Sequence, residues 1–475
     1  MNQSDYLAQD AVGLADLIAR REVSAAEVLD AALARTAAVN PKLNAVTLLL
    51  AEEARAQVRG GAPAGPLGGV PFLIKDLGAQ VAGTATTAGS RLLKDNIAEA
   101  DSAIVAAYRR AGLVIFGKTN TPEFGLEPVT EPELFGPTLN PWDLGRTPGG
   151  SSGGAASAVA GGMVPAAHAT DGGGSIRTPA ACCGLFGLKP SRGRVSFAPA
   201  DEGWGGFSIQ HAVTRSVRDS AALLDAIATP MPGDPYWLAP PTTPFAQDVG
   251  RDPDALRIAF TTDALASDAI DPECASAVRD AARLCEGLGH HVEEARLPGD
   301  LVALGAAAGV VVAASVAAAL DNEAARRGRP IAQDDVEIIT WAMYQRGKAV
   351  SGAGYVQALQ AVHAFGRLVA AFFERYDILL LSTLGSPPIA TGFLRGDPPD
   401  LSGYTARLFA FMPNTQVFNF TGQPAMTVPL ACSAGGLPIG VQFVGGAAQE
   451  ATLLRLAGQL EQARPWVGRQ LPPLI

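Results

Sequence analysis

The chain of 475 residues is poor in cysteine, in aromatic side chains and in positive charge. It has five cysteines, and none belongs to a Cys-x-x-Cys pair, so the sequence predicts reduced thiols in the cytoplasm rather than a disulfide framework. Its five histidines show no spacing of the His-Glu-x-x-His kind. We therefore expect no metal site.

Acidic residues exceed basic ones, and the formal net charge is −10. Nucleic-acid binding requires a basic face, so we expect no nucleic-acid partner. The sequence has no uninterrupted apolar run of the ~18 residues that a membrane span needs, and its first ten residues lack the basic and apolar regions of a signal peptide. The most apolar stretch, 304–320, is interpreted as a buried helix, and we expect no membrane partner.

What the chain does contain is a stretch, 149–190, that is unusually rich in Gly, Ser and Ala. It opens with the run GGSSGG at 149–154 and reaches a second glycine cluster at 172–174, followed directly by Ser175. Glycine lets a substrate approach the main chain closely, and a glycine turn can aim several N–H groups at one oxyanion. The alternative interpretation is two flexible glycine loops.

A second feature is a lysine at the end of an apolar segment. Residues 69–74 read GVPFLI, a pattern typical of a buried strand, and Lys75 and Asp76 follow. A lysine in such a place is unfavourable unless it is paired or neutral. The alternative is that its amine extends to the surface.

Residues 112–119 read GLVIFGKT, which matches the phosphate-binding pattern G-x-x-x-x-G-K-[ST]. In a phosphate-binding loop the strand precedes the first glycine, whereas here the apolar strand residues occupy the loop position itself. We therefore reject nucleotide binding.

Apolar strands alternate with helical patterns along the chain, which predicts an α/β fold with a large mixed twisted central sheet covered by helices on both faces. A capping box at Ser24–Glu27 opens a helix that Asn40 and Pro41 should end. With no internal repeat, we expect one domain, 1–475. We divide it into four parts: an N-terminal helical segment (1–60), a catalytic core (61–228), a variable region at the substrate pocket (229–413), and C-terminal core strands with a helix (414–475).

The stretch 149–190 resembles the signature segment of the amidase signature family. The resemblance includes GGSSGG, Asp171, the run GGSIR at 173–177, and GLKP at 187–190. Four further pieces fit in the same order: GVP with Lys75-Asp76, GKTN at 117–120, TRSV at 214–217 and TGQP at 421–424.

This resemblance implies the amidase fold and a Ser–Ser–Lys triad, with Ser175 as nucleophile, Ser151 after a cis peptide bond as bridge, and Lys75 as base. Lys118 is a rival base, but it follows Gly117 near a loop, and we interpret it as structural. The resemblance also implies an oxyanion hole and supporting side chains. The hole would comprise Gly172, Gly173, Gly174 and the Ser175 backbone; the supporting residues would be Ser152, Asp171 and Arg177.

One position departs from the family pattern. Members commonly have Asp-Thr-Gly-Gly-Ser, whereas Gly172 here replaces the threonine. We expect the loss of this side chain to widen the acyl site or loosen the oxyanion hole.

The stretches 130–133, 140–146 and 329–341 are similar to a subgroup of the family that includes nylon-oligomer hydrolases, aryl acylamidases and carbamate-cleaving amidases. This similarity implies hydrolysis of neutral, largely apolar amides, with carbamates and aryl esters as further substrates, through an acyl-enzyme and without a cofactor. The candidate pocket residues are Phe124, Gly125, Leu126, Ile209, Trp341, Tyr344 and Phe418, each with core packing as the alternative.

Two other functions stay open from the sequence. One is the subunit of a tRNA-dependent amidotransferase, which would need partner subunits. The other is a non-catalytic binding protein with the same fold. The partner we expect is a small-molecule amide, and the sequence leaves a homodimer open.

Overall fold

The computed structural model describes residues 1–200, 202–267, 269–394 and 401–466. Within them eleven strands form one sheet. In chain order they are β1 (Val46–Leu49), β2 (Pro71–Lys75), β3 (Val114–Thr119), β4 (Ala166–Asp171), β5 (Phe186–Lys189), β6 (Ile209–Thr214), β7 (Arg257–Phe260), β8 (His291–Glu294), β9 (Ile378–Ser382), β10 (Ala425–Cys432) and β11 (Pro438–Gly445).

The same parts of the chain contain sixteen α-helices. They are α1 (Gln3–Ala8), α2 (Ala11–Ala19), α3 (Ala25–Leu43), α4 (Ala51–Val58), α5 (Ala103–Arg110), α6 (Gly153–Ala160), α7 (Arg177–Cys183), α8 (Val217–Ile227), α9 (Phe245–Asp248), α10 (Pro272–Gly287), α11 (Leu301–Arg327), α12 (Ile338–Lys348), α13 (Gly352–Arg375), α14 (Leu401–Phe411), α15 (Val417–Phe420) and α16 (Glu450–Ala463).

The sheet is mixed, with the strand order β1-β3-β2-β4-β6-β5-β10-β11-β9-β7-β8. Strand β2 runs parallel to β3 and β4, whereas β4 and β6 are antiparallel, as are β10 and β11. Every residue of β2, β3, β4, β6, β9 and β11 is buried. Because successive side chains of a strand point to opposite faces, both faces of the sheet are covered, and the predicted fold class is confirmed.

The topology places the candidate site at one edge of the sheet. Lys75 is the last residue of β2, and Asp171 is the last residue of the parallel strand β4. The carboxyl ends of parallel neighbours meet at the same edge, where open α/β sheets usually bind ligands. The turn after β4 leads directly into the seven-residue helix α7.

The capping box is present, but the predicted end of its helix is wrong. Ser24 Oγ accepts the Glu27 N–H, and α3 continues through Pro41 to Leu43. Pro41 removes one helical hydrogen bond near the C-terminal end, and the helix continues for only two residues beyond it. The helix ends at Asn44, which has a left-handed φ of 49°. Asn40 fixes the chain that follows the helix, because its Oδ1 accepts hydrogen bonds from the N–H groups of Ala45 and Val46.

The interpretation of 304–320 as a buried helix is only partly right. This stretch lies in α11, whose buried face includes Leu304, Val311 and Val316. Other residues of the stretch, such as Ala306 and Ala318, are exposed. Among the described residues, α11 and α13 are long and apolar enough to cross a membrane by length and composition alone. In the fold α11 packs against α12 and α13.

Candidate active site

The GGSSGG run forms a tight connection into α6, and its glycines are required by close packing. A Cβ at position 150 would lie 2.5 Å from the carbonyl oxygen of Val129, and one at position 154 would lie 2.4 Å from the backbone nitrogen of Asn120. The peptide bond between Gly150 and Ser151 is cis. This connection brings Ser151 and Ser152, both buried, to the end of β2.

The Lys75 amine lies among three hydroxyl groups. Its Nζ is 2.7 Å from Ser151 Oγ, 3.0 Å from Ser152 Oγ and 2.9 Å from Thr170 Oγ1. Ser152 Oγ in turn donates to the backbone carbonyl of Thr170. The structure therefore brings Lys75, Ser151 and Ser152 together as expected from the resemblance, and it adds Thr170.

Lys75 is fully buried, and burial lowers the pKa of its amine well below 10.5, while the Asp171 carboxylate acts in the opposite direction. The three neighbours are all neutral hydroxyls, so no carboxylate contacts the amine directly. A neutral amine of this kind is able to accept a proton. The alternative of an amine that extends to solvent is wrong for this residue.

Lys118, the rival base, has different surroundings. Its Nζ lies 3.4 Å from Asp76 Oδ1 and 2.9 Å from Thr86 Oγ1, and it also donates to the carbonyl of Ala85. The amine therefore holds the loop after β2 in place, which agrees with a structural role.

The turn 172–175 carries two kinds of N–H group. The Gly174 N–H donates to Asp171 Oδ1 over 2.7 Å, with Gly174 at a φ of 142°. Within the described part of the chain, the N–H groups of Gly172, Gly173 and Ser175 make no hydrogen bond. The Gly174 N–H already has a partner and is not available to an oxyanion. Of the four residues expected to form the oxyanion hole, Gly172, Gly173 and Ser175 still have an N–H group that is free of partners among the described residues. The Ser175 carbonyl accepts the Ser152 N–H over 3.3 Å, which ties the turn to the serine pair.

A fully buried ion pair between Asp171 and Arg177 holds this turn in place. The Arg177 guanidinium donates to both carboxylate oxygens of Asp171, each over 2.9 Å. Burial opposes ionisation of Asp171, but Arg177 holds the pKa of the carboxyl at about 2. Arg177 also donates to Gln442 Oε1 and to Asn419 Oδ1, so the pair joins α7 to β11 and α15.

Ser175 opens onto a cavity of about 540 Å³. Gly172 and Gly173 form part of its wall, and apolar side chains from α11, α12 and α14 form much of the remainder. Gly125 lines the cavity and also lies against Ser151, because a Cβ at position 125 would be 3.1 Å from Ser151 Oγ. The cavity therefore meets the turn that carries Ser175 and reaches close to Ser151.

Two of the seven predicted pocket residues, Gly125 and Leu126, line this cavity. The other five lie elsewhere, so the prediction misplaced them. Phe124, Trp341 and Tyr344 do not line the cavity but pack against an apolar cluster around Leu92 and Leu320. The cavity-lining residues Leu126, Val312 and Met343 contact the same cluster. Phe418 is fully buried in the core, and Ile209 lines a small separate cavity.

Helical register explains the misplacement on α12. Ile339, Met343 and Arg346 line the cavity, whereas Trp341 and Tyr344 point to another side of the same helix. The apolar pattern of α12 is nearly uniform around the helix, so the sequence offered no means of choosing the face.

The sequence analysis missed Thr170 and Trp204. Thr170 is the penultimate residue of β4, so recognising that strand would have placed its side chain beside Lys75.

Trp204 fills the space at the substituted position, because a Cβ on Gly172 would lie 2.8 Å from the Trp204 ring. The expectation that Gly172 widens the site is therefore wrong at this point. No sequence signal linked the two residues.

Among the described residues, no group of three or more His, Cys, Asp or Glu side chains is arranged to hold a metal ion.

Comparison with known proteins connects this geometry to a family. The family model described as Amidase matches residues 27–454. The 6-aminohexanoate-cyclic-dimer hydrolase of Pseudomonas sp. (strain NK87) is 39% identical, over 98% of this chain and 97% of that protein.

Two solved structures are also similar. The structure of 6-aminohexanoate cyclic dimer hydrolase complexed with substrate has 38% identity and a TM-score of 0.93, covering 99% of this chain and 100% of the other. A bacterial aryl acylamidase of the amidase signature enzymes has 28% identity and a TM-score of 0.88, covering 98% of this chain and 99% of the other. The matches extend over nearly the whole chain, and the relatives carry hydrolase names. The chain is an amide hydrolase and belongs to the amidase signature family.

Proposed function

We propose that this amidase cleaves C–N bonds through Ser175, with Ser151 and Lys75 relaying the proton. The observation that carries the proposal is the buried Lys75 amine, 2.7 Å from Ser151 Oγ. A serine hydroxyl is a weak nucleophile at its ordinary pKa and requires a base. An amine with a lowered pKa is such a base when it is neutral.

The reaction begins when Ser175 Oγ attacks the amide carbonyl carbon. Its proton passes to Ser151 Oγ, while the Ser151 proton passes to Lys75 Nζ. The tetrahedral intermediate then collapses: the C–N bond breaks, and the proton returns through Ser151 to the leaving nitrogen. Water attacks the acyl-enzyme by the same relay and releases the carboxylic acid and Ser175.

The unoccupied N–H groups of Gly172, Gly173 and Ser175 are the donors that we assign to the oxyanion. Asp171 and Arg177 hold the turn in the conformation that presents them, because Asp171 also accepts the N–H of Ile176. Donors fixed before the reaction need no reorganisation as charge develops on the oxygen.

For the substrate, we propose amides with apolar groups on either side of the scissile bond, including linear and cyclic amides and anilides. The apolar cavity walls and the cyclic-dimer hydrolase relatives support this range. Carbamates and aryl esters have similarly polarised carbonyls and are further candidates.

The test combines labelling with hydrolysis. A fluorophosphonate should label the wild type on Ser175 and should not label Ser175→Ala. The same variant should hydrolyse heptanoyl 4-nitroanilide more slowly than the wild type by about 10³-fold or more. Circular dichroism checks that the variant is folded. Full activity in folded Ser175→Ala would refute the proposed nucleophile. Inactivity of the wild type across anilides, cyclic amides, carbamates and esters would refute the substrate range.

A further inference from the structure

Glu127 is a buried carboxyl group in the wall of the cavity that contains Ser175. It is 5% exposed, which is rare for a glutamate without a cationic partner. Its Oε1 accepts a hydrogen bond from Tyr404 Oη over 2.8 Å. Within the described residues, this is the only hydrogen bond to the carboxyl group, so Oε2 has no protein partner.

Among the described residues, the charges near Glu127 do not compensate for its burial. Glu131 and Glu123 act on its carboxyl group electrostatically, and Glu127 in turn acts on Glu337. Burial, with a further contribution from Glu131 and Glu123, raises the pKa of Glu127 to about 7, although the bond from Tyr404 acts against this. Arg346 lines the same cavity but forms no ion pair with Glu127. Arg407 is a further nearby cation, close to Tyr404.

A ligand group that binds in the cavity could supply the partner that the Glu127 carboxyl group lacks. An unpaired carboxyl in a mostly apolar wall is best matched by a donor of opposite charge, since a bound cation removes the unfavourable burial of the negative charge. The cavity walls are mostly apolar, so a charged group there has a large effect on which ligand is accepted.

We propose that Glu127 is a specificity-determining residue that binds an ammonium group of the substrate, so that the preferred amides carry a primary amine in addition to the scissile bond. This inference rests on the proposed function and narrows its substrate class. It makes the cavity selective for amino-terminated amides over their uncharged isosteres.

The test compares isosteric substrates that differ only in CH₃ and NH₃⁺. On the acyl side the pair is heptanoyl and 6-aminohexanoyl 4-nitroanilide. On the amine side the pair is N-hexylacetamide and N-(5-aminopentyl)acetamide. We expect the wild type to prefer the amine-bearing member of one pair, and Glu127→Gln to reduce that ratio of kcat/KM by about 10-fold or more.

The pH dependence of the ratio provides a second measurement. Ionisation of Lys75 affects both members of a pair equally and cancels in the ratio. The Glu127 carboxylate forms as the pH rises through about 7, so the wild-type preference for the amine should increase across that range. The ratio should be independent of pH in Glu127→Gln. Tyr404→Phe removes a hydrogen bond to the carboxylate and should move the midpoint to higher pH.

The matched control is Glu133→Gln, which makes the same charge change at a residue that lines an adjoining cavity rather than the one with Ser175. It should leave the ratio unchanged. The inference is overturned if neither pair shows a preference in the wild type, or if Glu127→Gln slows both members equally. Hydrolysis of the neutral substrates by the wild type supports the proposed function in either case, so the two proposals fail separately.

Discussion

The Lys75 amine shows how single residues determine the chemistry of this site. Three hydroxyls surround it, and the carboxylate that raises its pKa is that of Asp171, which is held by Arg177. Burial lowers the pKa of Lys118 as well, but there the Asp76 carboxylate in direct contact raises it and opposes the effect of burial. Neutral partners hold Lys75 in position without stabilising its charged form, and this difference separates the two lysines.

The rate of hydrolysis should therefore depend on pH with a definite sign. Burial lowers the pKa of Lys75, so the neutral form becomes populated as the pH rises through a value well below 10.5. We expect kcat/KM on a neutral anilide to rise with pH and reach a plateau below 10.5. Lys75→Met should lose about 10³-fold or more of the activity, since no base then remains. A profile that falls as the pH rises would contradict the assignment of Lys75 as base.

At the scale of elements, the site depends on how α7, α15 and β11 are joined. Arg177 begins α7 and contacts Gln442 of β11 and Asn419 of α15, although these residues are distant in the sequence. Asn419 completes the junction, because its Nδ2 donates to the backbone carbonyl of Asp171. The turn with Ser175 is therefore held by the C-terminal part of the chain.

Breaking this junction should destabilise the whole protein. Arg177→Met leaves the Asp171 carboxylate buried without its partner, and we expect the free energy of unfolding in urea to fall by about 3–5 kcal/mol. The double variant Arg177→Met with Asp171→Asn removes the uncompensated charge and should recover part of the loss. Equal destabilisation in the two variants would show that the ion pair is not the cause. In the wild type the Asp171 contribution is complete above pH 3.8 and is lost as the pH falls through about 2.

The sequence predicts helices and strands well where apolar residues recur with a clear period. It predicts them poorly where the element is short and consists of small residues. The strand predicted from residues 69–74 and the helix predicted to open at Ser24 lie close to β2 and α3. Strand β4 carries no such signal, because its residues AAHATD show no alternation once both faces are buried. The triad motif was recognisable because its residues lie in distinctive runs. The cavity walls come from α11, α12 and α14, whose facing sides depend on packing that no local pattern encodes.

At the scale of the whole molecule, the sheet combines strands from all parts of the chain. Strands β10 and β11, from the last part, lie between β5 and β9, whereas β8 lies at one edge. We propose on this basis that the 475 residues fold as one domain. A unit that shares one sheet in this way is expected to unfold cooperatively, although chains of this length do so less regularly than small domains.

Calorimetry tests this proposal. We expect one unfolding transition, and we expect proline at a central strand position, Val441→Pro, to prevent folding because proline removes a ladder hydrogen bond. Val292→Pro, in the edge strand β8, is the matched control and should be tolerated with a lowered Tm. Two separate transitions in the wild type would contradict a single domain.

The packing of Trp204 against Gly172 has a consequence for how substrate range changes in this enzyme. The indole ring stands where a side chain at position 172 would otherwise project, and it also lines the cavity. The volume beside Ser175, the nucleophile that we propose, is thus controlled from a loop outside the signature segment. We expect exchange of Trp204 to change which substrates are accepted, while Lys75, Ser151 and Ser175 are left untouched.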